Sequence, residues 1–252
     1  MKASLEYSNK KYTVDLSEPI DISIPLDTLE DRVSAWYVPP VSIDVVRTEA
    51  FTGAVAEGGS ANFRNISFNP HGNGTHTECV GHISKEVYSI NKALREFFFW
   101  AELVTIQPRE MENGDRIILW EDLKKTICCQ NITALIIRTS PNVKEKLYRQ
   151  YSQTNPPYVE EKAMQQLINM GINHFLIDLP SVDREFDEGK LSAHHAFWEH
   201  PHNTNMARTI TELIYVPDDV SNGLYLLNLQ IASFENDASP SKPVLYKPNC
   251  FD

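Results

Sequence analysis

Between positions 71 and 82 the chain reads HGNGTHTECVGH, gathering three of its eight histidines, a glutamate and three of its ten glycines into one short stretch. If the segment after Gly74 is extended, side chains alternate, so His76, Glu78, Val80 and His82 share one face and Cys79 points to the other. A helix would separate them, because residues two and six apart do not share a helical face. Two imidazoles and a carboxylate on one face form the nitrogen and oxygen donor set that holds zinc or manganese. His71 falls on the opposite face of an ideal strand, and Gly72 and Gly74 permit a bulge that would turn it back toward the others.

A second histidine cluster, AHHAFWEHPH, carries His194, His195, His200 and His202, and only His174 lies outside both clusters. Two such clusters far apart in sequence are what a metal site assembled by folding looks like. For His200 and His202, which flank Pro201, a solvated helix end is the competing account. In TITELIYV alternation places Ile210, Glu212, Ile214 and Val216 on one face, so a carboxylate interrupts an apolar row. A buried carboxylate is costly unless a cation or metal accompanies it, which makes Glu212 a further candidate ligand; a solvated sheet edge is the alternative.

The elements that must position these groups are mostly strands. KYTVDLS (11 to 17), IDISI (20 to 24), RNISF (64 to 68), ELVTIQ (102 to 107), RIILW (116 to 120), TALIIRT (133 to 139), the run from Phe175 to Leu179, TITELIYV (209 to 216) and GLYLLNLQIA (223 to 232) have strand character, with KPVLY as a possible addition. EDLKKTI is a short helix candidate. From Val159 to Met170 apolar residues recur at helical spacing and Gly171 stands as a terminator, which predicts an amphipathic helix. Strands outnumber helices without strict alternation, so the predicted class is α+β, a β-rich core with flanking helices. The run Phe97 to Trp100 reads as core ahead of a pocket lining. Asp178 and Asp183, at and just beyond a strand end, either orient ligating residues or cap the next turn.

The 252 residues suit one domain spanning 1 to 252, with no repeat or linker to divide them. A formal net charge of -11 argues against nucleic acid and against an anionic membrane surface. No apolar run approaches the ~20 residues of a membrane span, and the N-terminal residues lack a signal-peptide core, so a cytoplasmic location is expected. Cys79, Cys128, Cys129 and Cys250 show no CxxC spacing, and reduced thiols are the expectation. No GxSxG elbow appears, which disfavours a nucleophile-based hydrolase.

The segment GTHTECVGH resembles the GTHxDxPxH stretch of the cyclase family of metal-dependent hydrolases, which includes kynurenine formamidases and isatin hydrolases. VDLSEPI (14 to 20), IIRTS (136 to 140), LIDLPSVD (176 to 183) and ENDASPSKPVLY (235 to 246) are similar, in order, to other family segments. The resemblance implies a swivelling β/β/α fold, a homodimer or homotetramer, one or two divalent ions (Zn2+ or Mn2+) and a small-molecule substrate. It makes His76 and Glu78 metal ligands, Glu78 standing where the family has Asp. It makes His82 the catalytic acid/base, and His194, or its neighbour His195, with Glu212 a second metal position. His71 matches the family's first histidine but precedes His76 by five residues instead of four, with Gly72 at the matching place. The implied chemistry is hydrolysis of a formamide, cyclic amide or lactone, with a metal lowering the pKa of water to ~7 and His82 moving the proton. A metal-binding member without turnover, acting as a binding or assembly module, is the alternative.

Overall fold

The computed structural model describes residues 1–29 and 31–250. Its centre is a nine-stranded mixed sheet, built in chain order from β1 (Ile20–Asp21), β2 (His76–Glu78), β3 (Phe98–Ile106), β4 (Ala134–Thr139), β5 (His174–Ile177), β6 (Thr209–Glu212), β7 (Gly223–Asn228), β8 (Ala238–Pro240) and β9 (Val244–Tyr246). The spatial order is β8-β2-β6-β5-β4-β3-β7-β9-β1. β3, β4, β5 and β6 run parallel to their neighbours within that group, and the strands outside it add antiparallel. This is the expected α+β class, rich in strands.

Every residue of β4 and β5 is buried, as strands covered on both faces require. Alternation divides their side chains between two cores. Leu135, Ile137, Phe175 and Ile177 pack with Ala163, Met164 and Leu167 of the Glu161–Asn169 helix and with Phe197 and Trp198 of the Ser192–Trp198 helix. Ala134, Ile136 and Leu176 face the opposite cluster, with Ile22, Ile90, Cys79, Leu227 and Leu245. Cys79 thus packs away from the histidines, as alternation predicts.

The amphipathic helix begins two residues later than its apolar pattern. Val159 belongs to a two-residue strand, Tyr158–Val159, paired in parallel with Arg116–Ile118, and Gly171 ends the helical segment at φ +89. The strand expected over 209 to 216 stops at Glu212, because Leu213 takes a left-handed φ of +54. The aromatic run divides: Phe99 is core, Trp100 packs on Tyr7 and Tyr12, and Phe97 and Phe98 are exposed. Among the described residues, no helix is long and apolar enough to cross a membrane.

A buried ion pair ties the ends of β4 and β5 together. Asp178 accepts hydrogen bonds from the Thr139 backbone N–H and hydroxyl, both at 2.9 Å, and pairs with Lys146 Nζ at 2.7 Å. Lys146 is 3% exposed and Asp178 1%. Removing one partner of such a pair strands a buried charge, so Lys146→Met is expected to cost about 3 kcal/mol in denaturant unfolding. Adding Asp178→Asn, which keeps an acceptor for the Thr139 N–H, should restore part of that loss; simple additivity of the two changes would contradict the coupling.

Candidate metal centre

β2 lies between β6 and β8, antiparallel to both, with His76 opposite Glu212 and Glu78 opposite Ile210. Residues directly opposite in an antiparallel pair share a face. His76, Glu78 and Glu212 are therefore brought together by register alone, and Thr77 meets Thr211 on the other face with their hydroxyls 2.8 Å apart. β6 is an interior strand and Glu212 is 3% exposed, so the solvated-edge account of this carboxylate does not hold.

His71 and His82 arrive by routes different from those expected. The extended segment ends at Glu78, and Val80–His82 forms a 3-10 turn that brings His82 Nδ1 to 3.8 Å from Glu78 Oε2. His71 sits on a helical turn, Pro70–Asn73, in place of a bulge. Asn69 caps that turn by accepting the His71 N–H at 2.9 Å, with Pro70 at its first position. Gly72 contributes no left-handed backbone; a Cβ there would lie 2.6 Å from Val38 Cγ2 and 2.7 Å from the Ala35 carbonyl oxygen. The absence of a side chain lets the turn press against the 35 to 38 segment. Gly74, at φ 170, is simply extended.

His194 and His195 are separated by the geometry of the Ser192–Trp198 helix. Asp183 accepts the Ala193 N–H at 2.7 Å and the His194 N–H at 3.1 Å, and grips His194 Nδ1 at 2.6 Å. It orients the ring, as one of the two roles weighed for it requires, and what it caps is the Ser192–Trp198 helix and not the turn directly after its own strand. His194 Nε2 then lies 3.1 Å from Glu78 Oε1. His195 turns away, its Nδ1 3.0 Å from the His200 carbonyl oxygen, and lines a separate groove with His200 and His202.

Glu78 is the centre of the cluster and has no solvent exposure. Its Oε2 faces His71 Nδ1 at 3.1 Å, His82 Nδ1 at 3.8 Å and His76 Nε2 at 4.0 Å, yet it makes no hydrogen bond. His76 Nε2, 3.4 Å from Glu212 Oε2, makes none either, while its Nδ1 is 3.1 Å from the Gly74 carbonyl oxygen. Glu212 Oε1 accepts the Val182 N–H at 3.0 Å. Ligands about 2.1 Å from a tetrahedral ion lie about 3.4 Å from one another, and the donor atoms here bracket that spacing, from 3.1 Å (His71 Nδ1 to Glu78 Oε2) through 3.4 Å (His76 Nε2 to Glu212 Oε2) to 4.0 Å (His76 Nε2 to Glu78 Oε2). His71, His76 and Glu78 have donor atoms close enough to hold one ion, as do Glu78, His82 and His194. The residues present fit a divalent metal.

One residue of the cluster escaped the sequence patterns. Asp237 Oδ2 lies 2.8 Å from His71 Nε2 and 3.6 Å from His82 Nδ1. Its signal was its place in ENDASPSKPVLY, but Glu235 two residues earlier gives no way to choose between them without the pairing of β8 with β2.

Charges shape the titration of the site. Burial opposes the positive charge on His71, but Asp237 and Glu78 prevail and hold its pKa at about 10. Burial likewise opposes His194, and Asp183, Glu78 and Glu212 raise its pKa well above the ordinary value. Burial disfavours the Glu78 carboxylate, and His82, His194 and His71 nevertheless keep its pKa well below the usual range. Beside the cluster lies a cavity of about 340 Å3 whose lining includes Trp36, Val38, His71, His82, Pro180 and Arg184.

A family model described as "Putative cyclase" matches residues 14–184. Solved structures with the same fold include a predicted metal-dependent hydrolase from Bacillus stearothermophilus, at 15% identity and TM-score 0.63, covering 91% of this chain and 98% of that one. An isatin hydrolase bound to the product analogue thioisatinate matches at 14% identity and TM-score 0.63, over 92% of this chain and 93% of the other. Isatin hydrolase A from Labrenzia aggregata, bound to benzyl benzoate, matches at 15% identity and TM-score 0.60, over 91% and 93%. No curated protein matches the chain.

Because His71 and His194 hold protons at neutral pH when only carboxylates face them, a cation must displace those protons to bind. Zinc or manganese affinity is therefore expected to rise with pH, by about tenfold per unit for each proton displaced, and to flatten as pH approaches 10. Calorimetric titration in buffers of different ionisation enthalpy would measure the protons released; binding independent of pH between 6 and 9 would contradict this arrangement.

Proposed function

Because the chain belongs to the cyclase family, we propose that it is a metal-dependent hydrolase that opens a formamide, a cyclic amide or a lactone with water, using zinc or manganese. Two buried atoms carry the proposal: Glu78 Oε2 and His76 Nε2, without hydrogen bonds, in the midst of His71, His82 and Glu212. Unsatisfied groups at that depth cost several kcal/mol each unless a cation compensates them. His71, His76, Glu78, His194 and Glu212 are the proposed ligands. When bound, such an ion supplies Lewis acidity toward a carbonyl oxygen and lowers the pKa of water to ~7.

His82 has a different role. It is half-buried, it lines the cavity, and its Nδ1 stands beyond hydrogen-bond range of both Glu78 and Asp237. In this reading its ring takes a proton from water and returns it to the departing nitrogen or oxygen. The cavity volume suits a small-molecule substrate, and Trp36, Val38, Pro180 and Leu191 supply apolar walls for it. The isatin hydrolase held with thioisatinate supports a cyclic amide in particular.

Arg184 lines the same cavity. Its Nε is pinned by Asp115 at 3.0 Å and its Nη1 by the Phe186 carbonyl oxygen at 2.8 Å, which leaves Nη2 as a donor for a second substrate oxygen. The proposal extends to assembly as a homodimer or homotetramer. An exposed cross-strand pair, Ile43 opposite Ile66 in the two-stranded sheet of Ser42–Val45 and Arg64–Ser67, favours a further surface covering that sheet.

Chelation of the purified protein is expected to abolish hydrolysis of N-formyl aromatic amines, cyclic amides and lactones, and zinc or manganese to restore it. His82→Ala should lower kcat by about 100-fold or more with metal content unchanged. Loss of the metal in that variant would make His82 a ligand and overturn its role as the base.

A further inference from the structure

We infer that Asp237 is the positioning residue that makes His71 a metal ligand, by holding the imidazole at Nε2 so that Nδ1 is turned toward the ion shared with Glu78. This rests on the metal-dependent function proposed above. The two nitrogens of His71 face two different carboxylates, Nε2 toward Asp237 Oδ2 at 2.8 Å and Nδ1 toward Glu78 Oε2 at 3.1 Å. His194 is held the same way with its nitrogens exchanged: Asp183 grips Nδ1 at 2.6 Å, and Nε2 stands 3.1 Å from Glu78 Oε1. Each oxygen of Glu78 therefore meets an imidazole that an aspartate grips from behind. A carboxylate on the far nitrogen fixes the proton there, leaves the near lone pair for a cation and makes it a better ligand.

His71 depends on this more than the other histidines do. It comes from a four-residue turn, and its side chain is 20% exposed, whereas His76 is locked inside a sheet. Its other neighbours are rings, His82 at 4.4 Å and His76 at 5.2 Å between centroids, and neither fixes which nitrogen points inward. Asp237 is fixed by the strand that carries Glu78: its carbonyl oxygen accepts the Cys79 N–H at 3.0 Å, and the next residue, Ala238, pairs with Glu78. The same β2 and β8 pairing thus sets both carboxylates between which the ring is held. An imidazole offered one residue early in the sequence is brought to the ion by an acidic residue from the far end of the chain.

The experiment measures zinc affinity and stoichiometry, by competition with a chromophoric chelator, in the intact protein and in Asp237→Ala, Asp237→Asn, His71→Ala and the His71→Ala/Asp237→Ala double variant. Asp237→Ala is expected to weaken one zinc ion 10- to 100-fold. Asp237→Asn, nearly isosteric and still an acceptor for the Nε2 proton, should lose less, and it carries the test if the alanine variant fails to fold. In the His71→Ala background the Asp237→Ala change should have no further effect, since its action runs through that ring. Unchanged affinity in Asp237→Ala, or the same loss with and without His71, overturns this inference alone. A wild-type protein that binds no divalent ion overturns the metal site and this inference together.

Discussion

The structure is organised around a carboxylate that has been taken out of water. Glu78 has no exposed surface, one of its oxygens makes no hydrogen bond, and four imidazoles surround it. Burying an ionised carboxyl without compensation is prohibitive, so its neighbours must supply positive charge, either as protons on His71 and His194 or as a bound cation. The raised pKa values of those two histidines and the lowered one of Glu78 are the same compensation seen from each side. A metal ion would replace protons already concentrated at that point.

The rest of the molecule makes this burial possible. β2 is only three residues long, yet it is enclosed by β6 and β8, and that enclosure fixes His76, Glu78 and Glu212 by register. The parallel strands behind it end in the segment from Asp178 to Asp183, which the Lys146 pair anchors to β4 and which supplies the Val182 N–H to Glu212 and the Asp183 carboxylate to His194. Rigid backbone around a site holds donor atoms at distances they would not choose by themselves, and this is the condition for binding an ion tightly. The cavity opens where loops meet, at Trp36, Val38 and Pro180, so the proposed ligands sit on strands and helical turns while the proposed substrate contacts sit on connections.

Residue chemistry and spacing along the chain determined the class of the site: the GTHTECVGH stretch, the second histidine cluster and the interrupted apolar row at Glu212 named the groups that converge. Alternation was sufficient for His76, Glu78 and Cys79, because a strand's two-residue period is local physics. Tertiary structure decided the remainder. His82 and His71 reach the centre through a 3-10 turn and a capped helical turn, both of which depend on what packs against them; Gly72 is required by the Ala35 to Val38 segment and by nothing in its own neighbourhood of the chain. Only the direction of the Ser192–Trp198 helix separates His194 from His195, and only the pairing of β8 with β2 brings Asp237 to His71. The physical reason is that a local pattern specifies which face a side chain takes, whereas the distance between two faces is set by strand order and loop packing, which no single segment encodes.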